Sequence, residues 1–140
     1  MHLRIGVVLA PNEGALKASL PIFGMGLDGR LGTGKQWMSW IAIDDLVNAI
    51  LHFASNASEA VLKLEGPVNL TTSQVMRNTH YAQALAAALS RPALLPVPRM
   101  ALRVAFGEVA DAALLTSCRA IPSRLVQSGF NLRSQNYQTR

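Results

Sequence analysis

Two glycine patterns that share Gly29 are the residues whose types and spacing most suggest chemistry. Gly24-Met25-Gly26-Leu27-Asp28-Gly29 satisfies G-x-G-x-x-G, whose glycines normally let a strand-to-helix turn approach a pyrophosphate at a helix N-terminus. Its context does not fit. The residues before it are helix-like, and Arg30 to Gly34 after it are too rich in glycine to open the helix whose dipole would hold a phosphate. Gly29-Arg30-Leu31-Gly32-Thr33-Gly34-Lys35 satisfies the phosphate-loop pattern as far as its lysine. Gln36 then stands where a Ser or Thr supplies the hydroxyl for Mg²⁺, and a strand follows in place of a helix. Nucleotide hydrolysis by this loop is therefore not expected. Two readings stay open: a plain hairpin, or a loop that meets an anionic ligand through its backbone N–H groups with Arg30 and Lys35.

Other chemistry-bearing arrangements are missing from the sequence. His2, His52 and His80 have no partners at metal-ligand spacing, Cys118 is the one cysteine, and no G-x-S-x-G elbow is present. No metal site is expected. Tyr81 is followed four residues later by Leu85, and Tyr137 lies too near the end of the sequence for a lysine at that spacing. Each histidine reads as a helix-surface or packing residue. Asp44 and Asp45, at the start of an apolar periodic run, read as helix caps and not as an acid/base pair.

The elements that position these residues alternate between strand and helix. Leu3 to Leu9 is rich in β-branched residues and predicts a buried strand that ends at Ala10-Pro11. Gly14 to Phe23 predicts a short helix, and Gly24 to Gly34, with five of the ten glycines, predicts a loop or irregular hairpin. Trp37 to Ile43 predicts a second strand. Asp44 and Asp45 lead into a helix that ends near Asn56. Val68 to Thr71 predicts a third strand after Gly66-Pro67, Asn78 to Ser90 an alanine-rich helix stopped by Arg91-Pro92, and Ala93 to Val97 a fourth strand. One or two helices around Gly107, a helix over Ser123 to Gln127 capped by Gly129, and a final strand over Phe130 to Arg133 complete the pattern. The alternation predicts an α/β fold in a single domain covering residues 1–140.

Composition supports a packed domain and limits the partners. Half of the 140 residues are hydrophobic and 15% are charged, which disfavours disorder. The net charge of +5 resides after residue 90, where seven arginines face only Glu108 and Asp111. Arg91, Arg99, Arg103, Arg119, Arg124, Arg133 and Arg140 are spread along the chain without interleaved aromatics, so nucleic-acid binding is the lesser reading and a solvated or subunit-facing surface the greater. A lone cysteine, no cleavable leader and no apolar run long enough to span a membrane predict a cytoplasmic protein.

Several segments taken in order resemble one family. Leu3 to Leu9, Gly14-Ala15-Leu16, Gly32-Thr33-Gly34-Lys35-Gln36-Trp37-Met38-Ser39-Trp40-Ile41-Ala42-Ile43-Asp44-Asp45-Leu46, Gly66-Pro67-Val68-Asn69-Leu70, Arg91 to Pro98 and Gly107-Glu108 are similar to the C-terminal part of the epimerase-family proteins of the extended short-chain dehydrogenase/reductase superfamily, including their C-terminal domain of unknown function. The resemblance implies a partial Rossmann-type sheet made of its late strands, plus the small C-terminal substrate lobe. It implies that the dinucleotide-binding half, with its glycine-rich turn and Tyr-x-x-x-Lys dyad, is absent here. NAD or NADP is then a cofactor of the full-length family and not of this chain alone. It places Arg4, Gly6 and Val7 beside the nicotinamide when the other half is present, and Lys35, Gln36 and Trp40 along the substrate cleft. Ala42 stands where relatives usually carry His, which weakens a site role for that strand.

Two classes of function follow. The chain is the substrate-side lobe of a nucleoside-diphosphate-sugar epimerase-like protein, without chemistry of its own, or it is a stand-alone binding or assembly module derived from that family. A Rossmann strand is normally buried between neighbours, so its exposed edge must be covered by a homodimer or by another chain. A sugar-nucleotide-like ligand is the small-molecule partner that the resemblance implies.

Overall fold

The computed structural model describes residues 1–14, 16, 17, 20, 21, 27–55, 58–90, 95–98, 100 and 117–133. In chain order the elements are β1 (His2–Ile5), β2 (Val7–Ala10), β3 (Leu27–Leu31), β4 (Trp37–Met38), β5 (Trp40–Ala42), α1 (Ile43–Ser55), α2 (Glu59–Leu62), β6 (Pro67–Leu70), β7 (Met76–Arg77), α3 (Asn78–Ala88), β8 (Leu95–Val97) and α4 (Ser123–Gln127). They belong to two compact units: Met1–Ala10, Ser39–Val75 and Ala120–Arg140 form the first, and Pro11–Met38 with Met76–Arg119 form the second.

In the first unit the predicted opening strand is divided at Gly6. β1 pairs in parallel with β6, with Leu3 opposite Val68 and Ile5 opposite Leu70. β2 pairs in parallel with β5, with Val7 opposite Trp40 and Leu9 opposite Ala42. The Gly6 N–H donates to the Leu70 carbonyl at 3.1 Å and the next, of Val7, donates to Ser39 at 2.8 Å. Successive N–H groups along a strand point to opposite edges, so β5 and β6 flank one continuous strand on its two sides. Two parallel strands need a long crossover, and α1 supplies most of it.

Helix α1 carries apolar side chains on more than one face. Leu46 and Ala49 are buried and Phe53 half-buried against Ile41, Val68, Leu70, Leu125 and Leu132, which form the core of this unit. Val47, Ile50 and Leu51 are exposed and share a second face by their three- and four-residue spacing. The helix begins at Ile43, so the two aspartates are not its caps. Asp44 is exposed in the first turn, where it complements the helix dipole. Asp45 is buried, and its carboxylate accepts the Arg133 N–H at 3.0 Å. That bond also explains why Phe130 to Arg133 is not the predicted strand: the Arg133 amide is taken by a side chain, while Leu132 inserts into the core. Helix α2 was not predicted, and α4 runs over the predicted residues, with Gly129 in the left-handed region at φ 86° just after it.

In the second unit β3 pairs in parallel with β8, with Leu27 opposite Leu95 and Leu31 opposite Val97 across an irregularity. The glycine-rich stretch expected to be a loop or hairpin therefore contains a strand, because Leu27, Asp28, Arg30 and Leu31 flank only one glycine there. The predicted second strand, Trp37 to Ile43, is interrupted at Ser39. β4 runs antiparallel to β7, whereas β5 belongs to the first unit. Helix α3 packs against β3 and buries Ala82 and Ala86. The predicted helix over residues 14–23 lies partly outside the described residues, as do Ala93 and Leu94 of the predicted fourth strand and the stretch around Gly107. Among the described residues no helix is long and apolar enough to cross a membrane.

Leu125 of α4 is fully buried, whereas its neighbour Val126 is half exposed. Leu125→Ala will lower unfolding stability by about 2–5 kcal/mol, and Val126→Ala will change it by less than about 0.5 kcal/mol. Urea denaturation of both variants checks the contrast.

Candidate functional site

Gly6 is constrained by contact. A Cβ built on it would lie 2.6 Å from the Ser39 carbonyl oxygen and 2.9 Å from Thr71 Cγ2, closer than any side chain tolerates. The absence of a side chain thus serves the strand junction directly. Val7 is half-buried at the start of β2 and Arg4 is exposed on β1. Trp40 lies opposite Val7, and its indole N–H donates to the Gln74 carbonyl at 3.1 Å. Ser39, buried beside it, accepts the Ala120 N–H on its hydroxyl at 2.7 Å. Gly6, Val7 and Trp40 are therefore brought together in the first unit.

Lys35 and Gln36 lie in the second unit, on the loop between β3 and β4. The Gly34 N–H donates to the Leu31 carbonyl at 3.0 Å, and the Lys35 N–H lies 3.4 Å from Thr33 Oγ1. The Gly34 and Gln36 carbonyls accept the Thr79 and Asn78 N–H groups, each at 3.0 Å. The loop thereby satisfies the first amides of α3, which no side chain caps. Asn78, fully buried, locks the same joint by accepting the Leu31 N–H on Oδ1 at 2.8 Å. Gln36 is also buried, and its side-chain nitrogen donates to the Leu31 carbonyl at 2.9 Å. The Gly34 and Lys35 amides each already have an acceptor within the loop, so an anionic ligand would meet this loop through side chains before a backbone cradle. Both nucleotide motifs fail structurally: Gly29 sits inside β3, and β4 follows Lys35 and Gln36 where a helix would be needed.

An arrangement that sequence spacing does not reveal lies next to that loop. Trp37 pairs with Arg77 across β4 and β7, and on its other side the Trp37 N–H donates to Ser117 Oγ while its carbonyl accepts the Cys118 N–H, both at 3.1 Å. These bonds deliver Arg77 and Arg119 to one ring. Each guanidinium carbon lies 4.9 Å from the Trp37 ring centroid, and an exposed cation–π contact is worth about 0.5–1 kcal/mol. Arg77 Nη1 also reaches the Lys35 carbonyl at 3.5 Å. His52 has a packing role: its Nε2 is 3.1 Å from Ser128 Oγ, and Phe53 and Phe130 meet its ring edge-on. The Ser128 hydroxyl donates to Leu125, which leaves the imidazole as the donor.

A domain of unknown function, DUF1731, matches residues 97–136. An epimerase family protein of Mycobacterium bovis is 47% identical over 127 residues, which cover 91% of this chain and 40% of that relative. The chain corresponds to the C-terminal part of an epimerase-family protein. A chloroplastic epimerase family protein of Arabidopsis thaliana is 40% identical over 131 residues, 94% of this chain and 36% of its own length. The crystal structure of a human epimerase family protein, solved with NADPH, superposes with a TM-score of 0.78 at 34% identity, covering 94% of this chain and 43% of that one. The chain thus spans about two fifths of the epimerase-family relatives it matches and carries a partial Rossmann-type α/β fold, with parallel strands and a helical crossover. The DUF1731 match includes Arg119 and helix α4.

Gly6 separates a structural role from a direct ligand role. Gly6→Ala will destabilise the chain by about 1–3 kcal/mol through overlap with the Ser39 carbonyl. Thermal unfolding checks this, and an unchanged midpoint would contradict the packing assigned to the strand junction.

Proposed function

We propose that this chain is the substrate-side lobe of an NAD(P)-dependent, nucleoside-diphosphate-sugar epimerase-like protein, and that it acts only when packed against a dinucleotide-binding half. The observation that carries this reading is the human relative solved with NADPH, of which this chain matches 43%. On this reading Arg4, Gly6 and Val7 approach the nicotinamide side, while Lys35, Gln36 and Trp40 belong to the substrate side. The cofactor binds the other half of the protein. The sequence contains no Tyr-x-x-x-Lys, so the dyad that orients hydride transfer is also supplied by that half.

The open surfaces of the first unit support the same reading. The even-numbered residues of β1 bond toward β6, as the His2 N–H to Gly66 and the Gly6 N–H to Leu70 demonstrate. The backbone groups of Leu3 and Ile5 consequently point to the opposite edge, where no strand among the described residues pairs with them. Leu3 and Ile5 are also exposed, as are Val47, Ile50 and Leu51 of α1. An unpaired parallel edge with apolar side chains is a template for another strand. Its occupant on this reading is the dinucleotide-binding half, with self-association in a homodimer as the substitute when that half is missing, in a cytoplasmic setting. The second reading is a stand-alone binding or assembly module of the same descent.

Fusing to this chain the segment of the human relative, solved with NADPH, that lies outside the match will give a soluble protein that binds NADPH with micromolar affinity by fluorescence titration. The chain by itself will not bind NADPH and will elute larger than its monomer mass in size-exclusion chromatography. Micromolar NADPH binding by the chain alone would contradict the assignment.

A further inference from the structure

We propose that Arg77 and Arg119, stacked on Trp37 beside Lys35, form a binding site for the phosphate groups of a small phosphorylated ligand, an inference that rests on the substrate-side reading of this lobe and adds residues to it. The charge asymmetry comes first. The second unit contains eight basic and four acidic side chains, whereas the first contains five and four. Lys35, Arg77 and Arg119 are all exposed, and no carboxylate among the described residues pairs with any of the three.

Geometry concentrates this charge. Both guanidinium carbons lie 4.9 Å from one ring centroid, so they are within about 10 Å of each other, one Debye length at 0.1 M salt. Like charges held this close, without an acidic partner among the described residues, favour an anion. A guanidinium lying over an aromatic ring keeps its edge N–H groups available, and these match two phosphate oxygens at once. The side chains are also ordered before any ligand arrives. The Trp37 backbone is fixed by hydrogen bonds on one side to Ser117 and Cys118 and by strand pairing with Arg77 on the other, while the Arg77 and Arg119 guanidinium groups lie over the Trp37 ring and Arg77 is further tied to the Lys35 carbonyl. Preordering of this kind removes much of the entropy that flexible surface arginines lose on binding. The amides of Asn78 and Thr79 at the start of α3 are already used by the Gln36 and Gly34 carbonyls, so binding falls to the side chains.

Calorimetric titration of the 140-residue chain with inorganic phosphate, inorganic pyrophosphate, a nucleoside diphosphate and a single-stranded oligonucleotide tests the site. Pyrophosphate and the nucleoside diphosphate should bind, and Arg77→Gln or Arg119→Gln should each weaken binding about tenfold. Arg77→Lys should recover part of the loss, and Arg133→Gln, in the first unit, should have no effect. A nucleoside diphosphate that binds more tightly than pyrophosphate supports the site with a nucleotide as the source of the phosphates, and equal affinities support it with free pyrophosphate as the source. Equal affinity in the wild type and both Gln variants, no binding of any phosphate compound at millimolar concentration, or binding of the oligonucleotide alone would overturn it. Circular dichroism melting of each variant separates lost binding from lost folding. If the fused protein still binds NADPH while pyrophosphate binding is absent, the phosphate site is wrong and the lobe assignment stands.

Discussion

The close approach of Gly6 to Ser39 is the constraint on which the first unit depends. At that point one strand passes its hydrogen bonds from β6 on one edge to β5 on the other, and the Ser39 carbonyl occupies the space a side chain would need. Everything that packs on this sheet follows from the exchange. Because β5 and β6 flank the same strand, the chain between them must cross its face, and α1 makes that crossing with Leu46 and Ala49 turned to the sheet. The same exchange leaves the outer edge of β1 without a partner strand among the described residues, since β5 begins its pairing only at Val7.

Much of this was legible in the sequence because local pattern and tertiary context agreed. The β-branched run from Leu3 to Leu9, the helical spacing after Ile43 and the turn at Gly66-Pro67 each lie where an element is observed. What escaped was decided by distant contacts. β3 was hidden by its glycines, since its ladder to β8 depends on a partner more than sixty residues away. The run from Trp37 to Ile43 is apolar apart from Ser39, and nothing local marks that serine as the place where the chain leaves one unit for the other. Asp45 has the composition of a cap, yet its carboxylate is drawn to the Arg133 amide, 88 residues along the chain.

The site residues divide in the same way. Lys35 and Gln36 stand out in the sequence because they end a glycine-rich motif, but the structure uses Gln36 to hold the loop and leaves Lys35 exposed. Arg77, Arg119 and Trp37 carry no local signature. Their convergence arises from β7 on one side of Trp37 and residues 117–118 on the other, and one-dimensional spacing contains no trace of it. The C-terminal arginine excess, read as diffuse, thus contributes one member to a focused cluster.

On the reading proposed above, the apolar edge of β1 that no strand among the described residues pairs is covered by a dinucleotide-binding half. Hydrogen exchange at the Leu3 and Ile5 amides tests it most directly, with the chain alone at low concentration compared with the chain fused to a relative's dinucleotide-binding segment. Fast exchange is expected at both amides in the isolated chain and strong protection in the fusion, with the Arg4 amide protected in each. Equal exchange of Leu3 and Ile5 in the two proteins would contradict it.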